Sequence, residues 1–177
     1  MKETARKVFW WGLVGAYGAF LPYARRVWNA LFGRRSPWFD HMPIIVSVSL
    51  TAVVIFLLAR RRERSPSVYI AIAVLAVLYY FLFQFVTYPI ERIHMGEYGI
   101  VTFFIVMALA CHARGGIIYL WAVIVAIHIG IVDELVQGCL QERYYDIKDV
   151  WLNAWACCLG GCVVAFVVKP ERVRGEG

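Results

Sequence analysis

Two short stretches of this 177-residue sequence concentrate the side chains able to do chemistry. The first carries Glu91, Arg92, His94, Glu97 and Tyr98. The second carries Asp133, Glu134 and Gln137, followed by Arg143, Asp146, Asp149 and Asn153. Carboxylates beside a His and an Arg have the types needed for a general acid, a general base or the grip on an anionic group. Asp133, Glu134, Asp149 and His94 are the candidate catalytic groups; Glu97, Tyr98, Gln137, Arg143 and Asn153 are the candidate ligand-binding or structural partners. No metal site is expected, because the chain has no CxxC pair and no His at zinc-finger spacing. Nothing in the sequence specifies a cofactor.

Helical spacing would group these residues further. His94 and Tyr98 are four apart and His94 and Glu97 three apart, so one helix face can carry all three. Asp133 and Gln137, and likewise Asp149 and Asn153, are also four apart. Asp146 suits the cap of a helix, and Asp149 the first turn after it. Asp133 and Glu134 fall at the C-terminal end of a helix, where the dipole disfavours anions, so capping does not account for them. Three readings stay open. One is a mutually paired network, with Arg143 against Asp133 or Glu134. Another is a ligand-binding or catalytic site. The third is a set of solvated helix ends. His128, inside an apolar run, either bonds to a neighbouring helix or joins that site.

The elements that must position these groups are apolar to an unusual degree. The chain is 62% hydrophobic and 17% charged, with a mean hydropathy of +0.66, whereas a soluble domain is about half apolar and about a quarter charged. Six apolar runs approach the about 20 residues that cross a bilayer as helix: 8–24, 43–59, 68–88, 98–111, 115–132 and 150–168. The fourth is short and reaches full length only if its helix begins near Ile93. None alternates polar and apolar residues as a barrel strand would. The predicted fold is an all-α, polytopic transmembrane bundle of about six spans. The first run is expected to be a retained anchor, its start being bulky with Phe9, Trp10 and Trp11. Gly12, Gly15 and Gly18 early, and Ala156, Gly160 and Gly161 late, are expected to let helices approach closely. The five cysteines lie mostly in apolar runs and predict no disulfide framework.

Orientation follows from the Lys and Arg between the runs. Eleven fall on the side of the two termini and seven on the other, which predicts cytosolic termini and both polar stretches outside. Arg25, Arg26, Arg34 and Arg35 in the first connection run against that count, and with Trp28, Leu31, Phe32 and Trp38 they suggest a segment lying along the headgroups. Basic residues split across both faces argue against nucleic acid as a partner. The lack of ionisable groups deep in the runs, His128 excepted, argues against a transporter.

The stretch DELVQGCLQERYYDIKDVWLNAWACCLGG resembles the signature of the VanZ-like family of small bacterial membrane proteins, with Asp133, Glu134, Gln137, Arg143, Asp149, Asn153 and Gly160 in matching order. Upstream, IHMGEYGI resembles that family's His-then-Tyr element, giving His94, Glu97 and Tyr98. Ala156 stands where the family usually has Gly. The resemblance covers about residues 90–168. It divides the chain into an N-terminal three-span region (1–89), a VanZ-like membrane domain (90–169) and a basic tail (170–177). It implies a multi-pass protein of the bacterial cell membrane that contributes to resistance to the glycopeptide teicoplanin. The implied partners are the lipid bilayer and a glycopeptide or lipid-linked cell-wall precursor. The alternative is a membrane-embedded enzyme acting on such a precursor with its Asp, Glu, His and Arg residues.

Overall fold

A computed structural model describes residues 3–32, 38–61, 65–86, 89–140 and 146–169. Among these residues the chain is all-helical, with no strand. Its helices are α1 (Glu3–Phe32), α2 (Trp38–Arg61), α3 (Pro66–Phe85), α4 (Pro89–Leu109), α5 (Ile117–Gly138) and α6 (Ile147–Val163), and α6 runs on into a π-helical turn, Val164–Val168. Helices of this kind satisfy their own backbone groups, which long apolar runs require.

Local chemistry sets several of the boundaries. Proline opens both α3 and α4, at the helical position where its missing N–H costs nothing. Asp146 caps α6: its backbone is extended and its carboxylate accepts the Lys148 backbone N–H at 2.9 Å. The turn from α4 to α5 passes through Gly115 at φ +91°, a conformation that side chains disfavour. Lys169 ends the last helical turn in the left-handed region, its N–H bonded to the Val164 carbonyl at 2.9 Å.

Two boundaries differ from the sequence expectation. α1 does not stop near residue 24 but continues through Pro22 to Phe32, so residues 25–32 extend the helix instead of forming a separate interfacial segment. Residues 90–97, expected as an outer connection, are the opening turns of α4. In both cases a polar stretch that reads as a loop continues a neighbouring helix, because charged side chains interrupt an apolar run without interrupting the backbone ladder. α5 keeps Asp133, Glu134 and Gln137 in its last turns and ends at Gly138, as their helical spacing predicts.

α4 is the hub. It packs most extensively on α6 and also on α1, α5 and α2, while α3 lies against α6 and the π turn. The buried core draws on Val14 and Leu21 from α1, Met95, Tyr98, Val101 and Ile105 from α4, Ala122 and Ala126 from α5, and Ala156 and Cys157 from α6. The late glycines make the closest approaches. A Cβ at Gly160 would lie 2.7 Å from the Gly99 Cα, and one at Gly161 would lie 2.6 Å from Val123 Cγ2. The early glycines behave differently: nothing comes within 4 Å of a Cβ built on Gly12 or Gly15, and Gly18 meets only Ile129, at 3.8 Å. The expectation of close packing therefore fails for Gly12 and Gly15, which face away from the bundle.

Large apolar side chains cover the outside. Val48, Ile55, Phe56, Ile70, Tyr80, Phe81, Trp121, Trp151 and Trp155 are all exposed. Among the described residues, two segments are long and apolar enough to cross a membrane, Ile117–Gly138 and Ile147–Val168; shorter apolar helix occurs at Thr51–Arg60, Pro66–Leu82 and Met95–Leu109.

Candidate functional site

The inward stripe of α5 reads Ala122, Ala126, Gly130, Asp133, Gln137, steps of three or four residues that keep all five on one buried face. Its first three members are small and its last two are polar. The small ones admit α4 and α6. A Cβ on Gly130 would stand 3.1 Å from Tyr98 Cε1 and 3.4 Å from Asn153 Cβ, so the missing side chain is the space that the tyrosine ring and the asparagine occupy.

The polar members then meet what those helices bring. Tyr98 of α4, fully buried, donates its hydroxyl to Asp133 Oδ2 at 2.5 Å, the length of a charge-assisted O–H···O bond. Beside it, Asn153 Nδ2 of α6 approaches Glu134 Oε1 at 3.5 Å, a long contact. The Thr102 hydroxyl donates back to the Tyr98 carbonyl at 2.8 Å, one turn away on α4. Asp133, Glu134, Gln137 and Asn153 are each at most 4% exposed. Glu97 is also buried. Among the described residues, two buried atoms of this cluster, Asp133 Oδ1 and Gln137 Nε2, have no hydrogen-bond partner.

The structure thus brings together Tyr98, Asp133, Glu134 and Asn153 from the two polar stretches, with Gln137 one turn on from Asp133. Asp149 stands in the first turn of α6, half-buried, and Asp146 is the exposed cap before it. His94 lies on α4, but its side chain falls outside the described residues, as does Arg143; the expected approach of both to the Asp133 and Glu134 carboxylates concerns groups not described. His128 does not join the cluster. It is exposed, and its Nδ1 lies 2.7 Å from the Ile124 carbonyl of its own helix, not against a neighbouring one. Among the described residues, no three His, Cys, Asp or Glu side chains are placed to hold a metal ion. All five cysteines are free thiols, and Cys139, just beyond α5, is the exposed one.

Sequence reasoning missed Gly130, Gly99 and Thr102. For Gly130 a signal was present: it continues the four-residue step from Ala122 and Ala126 and stands three residues before Asp133. Gly99 and Thr102 carry none, since nothing local shows that α6 crosses there.

The fold and site together define an all-α bundle with a buried polar centre and at least two helices able to cross a membrane. No protein-family model, curated protein or solved structure matches this chain.

Proposed function

We propose that this chain is a VanZ-like, multi-pass protein of the bacterial cell membrane, with about six spans and cytosolic termini. Its Tyr98–Asp133 cluster serves as a binding centre near the outer face, through which it raises tolerance to teicoplanin. The observation that carries this reading is the meeting of Tyr98, Asp133, Glu134 and Asn153, drawn from both halves of the resembling motif, in one buried cluster.

Two further features support it. α3 holds 20 residues without a Lys, Arg, Asp or Glu, and its Tyr69, Ile70, Val74, Val77, Tyr80 and Phe81 are all exposed. Water disfavours an apolar surface of that extent, and hydrocarbon does not. The carboxylates are also closed in. Asp133 and Glu134 are 2% and 3% exposed, and Tyr98 already engages Asp133, which suits holding a ligand group better than activating water. Binding is therefore favoured over the enzymatic alternative.

The test is expression in a susceptible Gram-positive host, with membrane insertion verified. Teicoplanin tolerance should rise more than vancomycin tolerance, and Asp133→Ala should abolish the rise. No change in either, with the protein in the membrane, overturns the functional reading. Topology is read separately. An impermeant maleimide should label Cys139 in intact cells, while the buried Cys111 and Cys157 stay unlabelled; labelling of Cys139 only after permeabilisation reverses the orientation.

A further inference from the structure

The inward stripe of α5 ends on two open hydrogen-bonding atoms of opposite kind. Asp133 Oδ1 is an acceptor and Gln137 Nε2 a donor; their residues lie one helical turn apart on the same face and are 2% and 1% exposed, and neither atom has a hydrogen-bond partner among the described residues. Buried polar groups are seldom left this way, and each exception asks for an occupant. The chemistry of the pair narrows what that occupant is. An anion would satisfy the amide but would face the buried Asp133 and Glu134 carboxylates on the same helix. An ammonium or metal cation would satisfy the carboxylate but would set its charge against the amide N–H, and no metal-ligand trio converges among the described residues. A hydroxyl answers both: it donates to Oδ1 and accepts from Nε2.

We infer that Asp133 Oδ1 and Gln137 Nε2 form a subsite for one hydroxyl of the glycerol or sugar headgroup of an envelope lipid. This rests on the proposed reading of the cluster as a binding centre near the membrane face, and it names the ligand class. α5 ends one residue beyond Gln137, at Gly138, so the subsite lies at the helix end nearest the headgroup layer in that reading. The opposite end of the stripe offers no such group, being Ala122 and Ala126. Tyr98 holds Asp133 by its other oxygen and so fixes the direction in which Oδ1 points.

The experiment uses the full chain in nanodiscs of three compositions: phosphatidylethanolamine alone, which has no headgroup hydroxyl; phosphatidylethanolamine with phosphatidylglycerol; and phosphatidylethanolamine with an uncharged diglucosyl diacylglycerol. Thermal unfolding is followed in each, for the native chain and for Gln137→Met, which keeps the side-chain length and removes the amide. The native chain should melt about 3 °C or more higher in at least one hydroxyl-bearing lipid, by preferential binding to the folded state. Which lipid does so distinguishes glycerol from sugar as the source. Gln137→Met should lose that increment and melt no lower than the native chain in phosphatidylethanolamine alone, because it removes a buried amide that has no partner there. If Gln137→Met does not fold, Gln137→Asn, which withdraws the amide by one methylene, should show the same loss. Equal melting of the native chain in all three lipids overturns the inference. So does an increment that survives in the variant, or a variant that melts lower by the same amount everywhere, the sign of an internal water only. None of these readouts involves antibiotic tolerance, so failure here and failure of the proposed function are separable.

Discussion

One hydrogen bond forms at the middle of α4 and another just beyond its C-terminal end, and they differ in nearly every respect. Midway along α4, the Tyr98 hydroxyl reaches Asp133 of α5 at 2.5 Å inside the bundle. Just beyond its end, the Trp11 indole N–H of α1 reaches His112 Nε2 at 3.0 Å, exposed to the surroundings, with the two rings tilted at 6.3 Å. The first depends on neighbours that give way. Gly130 leaves room for the tyrosine ring, and Gly99 and Gly160 let α4 and α6 come together beside it. The second asks nothing of its surroundings, and the glycines nearest to it in α1, Gly12 and Gly15, touch nothing. A polar contact becomes a fixed feature of a bundle when small residues bring the helices close enough to exclude other partners. At an exposed end the same kind of bond competes with water and headgroups.

That contrast is open to test by substitution, with unfolding of the solubilised protein as the measurement. The largest effect is expected from Gly160→Val, which drives a branched side chain into the Gly99 backbone; α4 and α6 must part, at a cost of about 3 kcal/mol or more. A native-like unfolding midpoint for this variant would remove the glycine contact from the account. Tyr98→Phe comes next. It leaves Asp133 without its hydroxyl donor and should cost about 1–3 kcal/mol. A double-mutant cycle of Tyr98→Phe with Asp133→Asn should show a clear coupling energy, and strict additivity would mean that the two side chains do not act together.

Gly130→Ala should cost less, about 1 kcal/mol, since a Cβ 3.1 Å from the edge of the Tyr98 ring displaces a side chain instead of a backbone. Its effect should vanish in the Tyr98→Ala background, whereas persistence there would point to Asn153, the other neighbour at 3.4 Å. The smallest changes belong to the exposed end. Trp11→Phe should alter stability by no more than about 0.5 kcal/mol, as exposed substitutions generally do, and a loss comparable to Tyr98→Phe would erase the distinction between the two bonds.

Much of the bundle was legible in the sequence because its cause is local. Apolar runs with few charges form helices whatever surrounds them, and the described residues of all six expected runs lie in helices except at the run ends Val86, Ala110, Cys111, Gly115 and Gly116. Asp146 as a cap was readable for the same reason: the signal is a side chain and a backbone N–H two residues away. Boundaries were less legible. Arg25, Arg26, Glu91 and Arg92 mark the end of an apolar pattern, and a helix can continue past the point where its surroundings change.

The sequence by itself determined the helical class, the apolar exterior and the two polar stretches, since each follows from residue type and spacing within a few turns. It named Tyr98, Asp133, Glu134, Gln137 and Asn153 as residues of interest without fixing their contacts. Only the tertiary structure decided that Tyr98 bonds to Asp133, that His128 stays outside on its own helix, and that the late glycines pack while Gly12 and Gly15 do not. Those outcomes depend on which faces of α4, α5 and α6 meet, and a helix of glycines and alanines looks the same along the chain whether its small face is covered or bare. The covering is set by the pairing of whole helices, a property of no single stretch of sequence.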